Sequence, residues 1–303
     1  MNALVVGGAG FIGSHLTERL LADGHVVDVV DDLSLGSLAN LAEARSMGGE
    51  LKIHTLDAGA DEFQALVALR TPDVIYHLGV LPPGESVESG AAASLRSLIS
   101  VLEAARALGG VKVVVALSAV SIYGDVPSKD LPIKENQTWK PVGVRGVLAR
   151  SVAELLAVYR EEHSVEFTAL ALANVYGDRQ RADGGVVGAF SHALAQREAP
   201  VLNGDGRQTR DFLYIDDAVD ALVRAATRGS GLVVNVGTGV ATSVSAVWWQ
   251  MAGPDGIAPL TVQRGRSDVS RFALSPTRAR IQLAWAPWTE LSVGLRALGR
   301  GPR

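Results

Sequence analysis

The 303-residue chain has no cysteine. Disulfides, thiolate metal sites and cysteine nucleophiles are therefore excluded, and an intracellular, cytoplasmic setting is expected. Lysine is scarce. Of 28 basic residues only five are Lys, at positions 52, 112, 129, 134 and 140, and nothing after Lys140 is lysine. Positive charge is not in excess either. A net charge of -4 gives no electrostatic case for nucleic acid or an anionic membrane as the main partner. Apolar runs such as Val111–Leu117 fall far short of the ~20 residues that a spanning helix needs. Met1-Asn2-Ala3-Leu4 carries no basic region before its apolar stretch, and a glycine-rich turn follows, so no signal peptide is expected. The six histidines (15, 25, 54, 77, 163, 192) lack metal-ligand spacing, and no metal site is expected.

Hydrophobic residues make up 48% of the chain, enough for a substantial core. Ala3–Val6 is a short strand that ends in glycines. Phe11–Ala22 then has apolar residues at helical spacing, closed by Asp23-Gly24. Strands are expected at His25–Val30, Leu51–Leu56, Asp73–Leu78, Val111–Leu117 and Glu166–Leu172. Helices are expected at Ala91–Leu108 and Val144–His163. This alternation predicts an α/β fold, a Rossmann-type doubly wound parallel sheet. After Asn174 the texture turns polar and Gly- and Pro-rich, with a helix at Val186–Gln196. We expect residues 1–175 to form the dinucleotide-binding domain, joined by about 212–238 through helix Ile215–Thr227 and strand Leu232–Val236. Residues 176–211 and 239–303 then form a smaller C-terminal substrate-binding lobe.

The first glycine cluster carries the strongest chemistry. Gly7, Gly10 and Gly13 stand between strand Ala3–Val6 and the following helix. Glycines there permit a tight turn, close approach to a pyrophosphate and close helix–strand packing. The helix N-terminus supplies unpaired N–H groups for the phosphates. Asp31, at the end of the second strand, is placed to bond a ribose 2′-hydroxyl, with Asp32 beside it. An acid there favours NAD over NADP.

With these motifs the chain resembles the extended short-chain dehydrogenase/reductase family of NAD-dependent nucleotide-sugar epimerases and dehydratases, the UDP-galactose 4-epimerase type. The resemblance covers nearly the whole chain. It runs through Gly7–Gly13, Asp31–Gly36, Asp57-Ala58, Asp73–Leu78, Ile122-Tyr123-Gly124, Asn174–Gly177, Gly204–Phe212, Asn235–Gly239 and the tail from Arg278 to Pro287. It implies NAD as cofactor, held by Gly7, Gly10, Phe11, Ile12, Gly13, Asp31, Asp32, Leu33, Ser34, Gly36, Asp57, Ala58, Leu78 and Gly79. It implies a nucleotide-sugar substrate bound by Asn174, Arg210, Arg266 and Asp268. It also implies a homodimer through helices Ala91–Leu108 and Val144–His163.

The family's catalytic triad does not carry over. Its Ser/Thr position is Ala119, its tyrosine base falls at Gly146, and its lysine falls at Arg150. No tyrosine of the chain has a lysine four residues on. Loss of acid–base catalysis alone typically slows a reaction ~10²–10⁴-fold. The asparagine that helps orient the lysine in relatives aligns with Ser94. Candidate replacements are Tyr123 as base, Ser118 and Ser121 as hydroxyl holders, and Arg150 as a lysine mimic. Arg145 and Arg150 can stabilise an anion but cannot act as bases. His77 reads as a core histidine.

The favoured reading is an NAD-binding epimerase/dehydratase-like enzyme with a non-standard active site. Two others stand beside it. One is a non-redox isomerase, lyase or cyclase that uses NAD structurally. The other is an inactive regulatory protein that binds NAD or a nucleotide sugar.

Overall fold

The computed structural model describes residues 1–79, 87–263 and 269–298. In chain order its strands are β1 (Asn2–Val6), β2 (Val26–Asp31), β3 (Leu51–Thr55), β4 (Val74–His77), β5 (Lys112–Ser118), β6 (Glu166–Leu172), β7 (Asn174–Tyr176), β8 (Val201–Asn203), β9 (Thr209–Arg210), β10 (Phe212–Tyr214), β11 (Leu232–Val236), β12 (Thr242–Ser243) and β13 (Leu260–Val262). The helices are α1 (Phe11–Ala22), α2 (Ala42–Ser46), α3 (Asp61–Arg70), α4 (Val87–Leu108), α5 (Ala119–Tyr123), α6 (Gly143–His163), α7 (Val186–Gln196), α8 (Ile215–Ala225), α9 (Val244–Ala252), α10 (Thr277–Gln282) and α11 (Leu291–Ala297).

Seven strands form one sheet in the order β11-β6-β5-β4-β1-β2-β3. Every pairing in it is parallel. The chain winds from β1 outward to β3 and then resumes at β4 on the other side of β1. That reversal opens a crevice at the carboxyl ends of the strands, where ligands bind in such sheets. Alternate residues of β4 serve opposite faces. Tyr76 joins the core cluster that includes Leu16 and Leu20 of α1 and Leu222 of α8. Ile75 joins Phe63 of α3, Leu102 of α4 and Leu156 of α6. Each fully buried side chain of this kind contributes roughly 1.5–3 kcal/mol. A third cluster, with Phe190, Trp248 and Leu295, packs α7, α9 and α11 apart from the sheet.

Asp211, wholly buried, ties the chain reversals after the sheet together. One carboxylate oxygen accepts from Thr238 N and Oγ1 (2.9 and 2.6 Å) and the other from Gly239 N and Leu274 N (3.0 and 2.9 Å).

The expected elements are present with shifted ends. β2 begins at Val26 rather than His25, and α4 begins at Val87 rather than Ala91. Helix α3 was not anticipated; its apolar residues do not gather on one face, and only Phe63 and Val67 are buried. Among the described residues, no helix is long and apolar enough to cross a membrane.

Candidate active site

A cleft of about 430 Å³ lies along the carboxyl ends of the strands. At its centre, Gly7 turns the chain with φ +80°, and its N–H donates to Val30 O (2.9 Å). A Cβ on Gly13 would collide with Gly7 O and lie 2.7 Å from Gly8 Cα. Only glycine lets α1 sit this close to the turn. Phe11 and Ile12 open α1 and line the cleft. The first-turn N–H groups of a helix have no helical acceptors and favour an anion.

Asp31 closes β2. Its carboxylate accepts from Ala9 N (2.8 Å) and Leu33 N (2.9 Å), which fixes the glycine turn to the loop that follows. Leu33 takes φ +61° there and does not line the cleft itself. Burial pushes the Asp31 carboxyl above the usual aspartate range. Asp32 accepts from Ser34 N and Oγ (3.0 and 2.7 Å). A Cβ on Gly36 would lie 2.6 Å from Asp31 Oδ1. Asp32, Ser34, Gly36, Asp57, Ala58, Leu78 and Gly79 all line the same cleft. A turn that only glycine fits, a helix N-terminus and carboxylates at the end of β2 together match the outline of a dinucleotide.

The other end of the cleft lies beyond β5. Ser118 and Ser121 line it, with their hydroxyl oxygens 3.0 Å apart. Ala119 is buried and offers no hydroxyl. Ser94 and Ser97 of α4 face the cleft as well. Ser97 Oγ lies 2.8 Å from His77 Nε2. His77 is wholly buried, as the sequence suggested, and burial lowers its pKa to about 4, so the ring is neutral.

Two of the residues expected to be catalytic do not line the cleft. Tyr123 is 1% exposed and absent from the cleft, because the short helix α5 turns its ring inward. Its hydroxyl donates to Asn235 Oδ1 (2.8 Å), and burial pushes its pKa up to about 12. As packed, the hydroxyl faces Asn235 rather than the cleft. Arg150 points outward from α6, with 51% of its side chain exposed, and pairs with Glu154 (2.7 Å). It does not reach the cleft. Arg145 does, together with Ala149 one turn further on. Gly146, between them, packs directly on the Ser121 carbonyl, where a side chain would have no room.

On the substrate side, Asn174 lines the cleft, and its Oδ1 is buried with no hydrogen-bond partner among the described residues. A donor on a ligand would satisfy it. Arg210 does not line the cleft. Its guanidinium donates to Thr209 O and Val269 O (2.9 and 2.8 Å). Arg266 and Asp268 lie outside the described residues. Among the cleft residues that went unread in the sequence are Gln180 and Arg181. The signal was their position just after Asn174-Val175-Tyr176-Gly177. Arg181 is held by Asp183 through two 2.9 Å bonds and extends to Leu35 O (3.4 Å) across the cleft. No cluster able to hold a metal ion occurs among the described residues.

Fold and cleft together define a Rossmann-type dinucleotide-binding sheet. The model of the NAD dependent epimerase/dehydratase family matches residues 3–237, and the chain belongs to that family. It is 37% identical to a UDP-glucose 4-epimerase of Mycolicibacterium smegmatis, over 97% of this chain and 96% of that one. Its structure is similar to a Thermotoga maritima UDP-glucose 4-epimerase with UDP-glucose (TM-score 0.90, 30% identity, 98% and 97% covered). It is also similar to MoeE5 in complex with UDP-glucuronic acid and NAD (TM-score 0.85, 28% identity, 98% and 97% covered). The cofactor is NAD.

Proposed function

We propose that the chain holds NAD and a nucleotide sugar in one cleft and acts as an epimerase- or dehydratase-type enzyme with a non-standard catalytic end. The observation that carries this is the continuity of one cleft from the Asp31 end to Ser118, Ser121 and Asn174. The ligands of similar structures, UDP-glucose and UDP-glucuronic acid, support a sugar nucleotide as substrate. NAD, when bound, supplies a hydride acceptor. Gly7, Gly13 and the start of α1 hold its phosphates, and Asp31 and Asp32 its ribose. Ser118 and Ser121 orient a sugar hydroxyl. With Tyr123 and Arg150 turned away, the hydroxyl proton passes to water or to a group of the substrate itself.

The deciding experiment has two stages. The purified protein is denatured and its released nucleotides are identified by mass spectrometry. The intact protein is then mixed with UDP-sugars, and reduced-nicotinamide fluorescence and product stereochemistry are followed. Bound NAD with a transient rise in fluorescence supports the reading, whereas sugar binding with no reduction and no product refutes it. That second outcome matches the regulatory reading, and product formed with no reduction would match the non-redox one, which the closed contact between Gly146 and Ser121 favours.

The same reading includes a homodimer in the cytoplasm. Exposed Ile99 on α4 and Val144, Val147 and Val158 on α6 support a partner surface. The absence of cysteine supports the compartment.

A further inference from the structure

We infer that Ser97, its hydroxyl oriented by His77, is a cofactor-binding residue that donates a hydrogen bond to the ribose of the nicotinamide half of NAD. The inference rests on NAD as the cofactor held in this cleft. The sheet order sets which part of the dinucleotide lies there. β2, β1, β4 and β5 stand side by side, and the cleft runs along their carboxyl ends. Asp31 closes β2, and Gly7 follows β1. With the first ribose at Asp31 and the pyrophosphate at the glycine turn, the second ribose falls one strand further on, at β4, roughly 5 Å from β1. His77 ends β4 directly beside Val6, the residue before Gly7. Ser97 of α4 meets His77 and lines the cleft. Gly79 after β4, Ala93 one turn back on α4 and Ala116 on β5 line it too and offer no polar side-chain atom.

The direction of the Ser97 proton follows from His77. The ring is wholly buried, and its Nδ1 makes no hydrogen bond among the described residues. A proton on Nδ1 would be a buried N–H with no acceptor, an arrangement that folded proteins avoid. The proton therefore sits on Nε2, which donates to Ser97 Oγ across 2.8 Å. Ser97 is then the acceptor toward the ring, and its own O–H is left to point elsewhere. Helical serines can give that proton to the carbonyl four residues back, as Ser151 does to Val147 O (3.0 Å). Ser97 makes no such bond: among the described residues His77 is its one hydrogen-bond partner. The donor is left facing the cleft, and a ribose hydroxyl oxygen is an acceptor that suits it.

The test is titration calorimetry of the full chain with NAD, with ADP-ribose, which keeps the second ribose, and with ADP, which lacks it. Ser97→Ala should bind NAD and ADP-ribose roughly 3- to 10-fold more weakly than the wild type and ADP equally well. His77→Phe should show the same pattern, and His77→Gln, which keeps an N–H for Ser97, should recover part of the loss. Nitrogen-15 shifts of the His77 ring in the wild type should show the proton on Nε2, and they decide that point even where a His77 variant does not fold. Unchanged NAD and ADP-ribose affinities in Ser97→Ala, or ADP weakened as much as the others, would overturn the contact. A loss confined to NAD would put the partner on the nicotinamide ring and overturn the ribose assignment. A ring proton on Nδ1 would overturn the orientation by His77. Failure of all three nucleotides to bind the wild type would instead overturn the dinucleotide reading of the cleft.

Discussion

Gly146 and Ser121 are in backbone contact at a point where no side chain fits. A Cβ on Gly146 would fall on the Ser121 carbonyl oxygen and stand 3.0 Å from the Pro141 backbone. The position at which the family resemblance places the base therefore has no room for a side chain as packed. Gly146→Tyr with Arg150→Lys should restore no 4-epimerase activity. Gly146→Ala alone should lower stability by about 1–3 kcal/mol, the usual range for overpacking. Thermal melts and a coupled epimerase assay check both, and activity in the double variant would show that the contact can open.

Tyr123→Phe removes the hydrogen bond to Asn235 and nothing that faces the cleft. The expected cost is about 1 kcal/mol of stability, with NAD and sugar-nucleotide affinities unchanged. Loss of turnover in a variant that melts normally would return Tyr123 to the chemistry.

Asp31 is held above the usual aspartate range by burial, and its ionised form is the better acceptor for ribose hydroxyls. NAD affinity should thus be full above that raised pKa and fall as pH drops through it. The decline should begin at a higher pH than an ordinary aspartate would give. Asp31→Asn should bind NAD more weakly at neutral pH and shift the remaining decline to lower pH. For the fold the sign is opposite. A carboxyl raised by burial opposes folding while ionised, and that penalty lifts as pH falls through its folded pKa. Calorimetric NAD titrations and thermal melts across acid pH separate the two effects.

Asp211→Ala should be the most destabilising of these changes. It strands four donors, from Thr238, Gly239 and Leu274, around a carboxylate that is itself wholly buried. A loss of roughly 3 kcal/mol or more is expected, read as a large fall in melting temperature.

Sedimentation should give about twice the 31.7 kDa chain mass. Val147→Glu with Val158→Glu places charge on the exposed face of α6 and should return the mass to that of one chain. A monomeric wild type would remove the dimer from the proposal.

The parallel sheet was legible because its strands are apolar runs separated by helical periodicity. Glu166–Leu172 was read residue for residue. The glycine turn was legible because backbone geometry leaves glycine no substitute at Gly7 and Gly13. Directions of side chains were not. Ala119–Tyr123 carries no period long enough to reveal a five-residue helix, so nothing foretold that Tyr123 would reach Asn235, 112 residues away. Arg150 and Arg145 are similar in sequence, and only the packing of α6 against α5 tells which one faces the cleft. Ser97 and Arg181 acquire their places from β4 and Leu35, contacts that no local pattern encodes.

Every cation that lines the described cleft is an arginine; none is a lysine. Guanidinium keeps its proton at any pH a protein survives. The cleft's positive charge is therefore permanent, and only its carboxylates respond to acid. Lysine acylation and amine-directed labels will pass the site by, and no imine to a carbonyl ligand can form there.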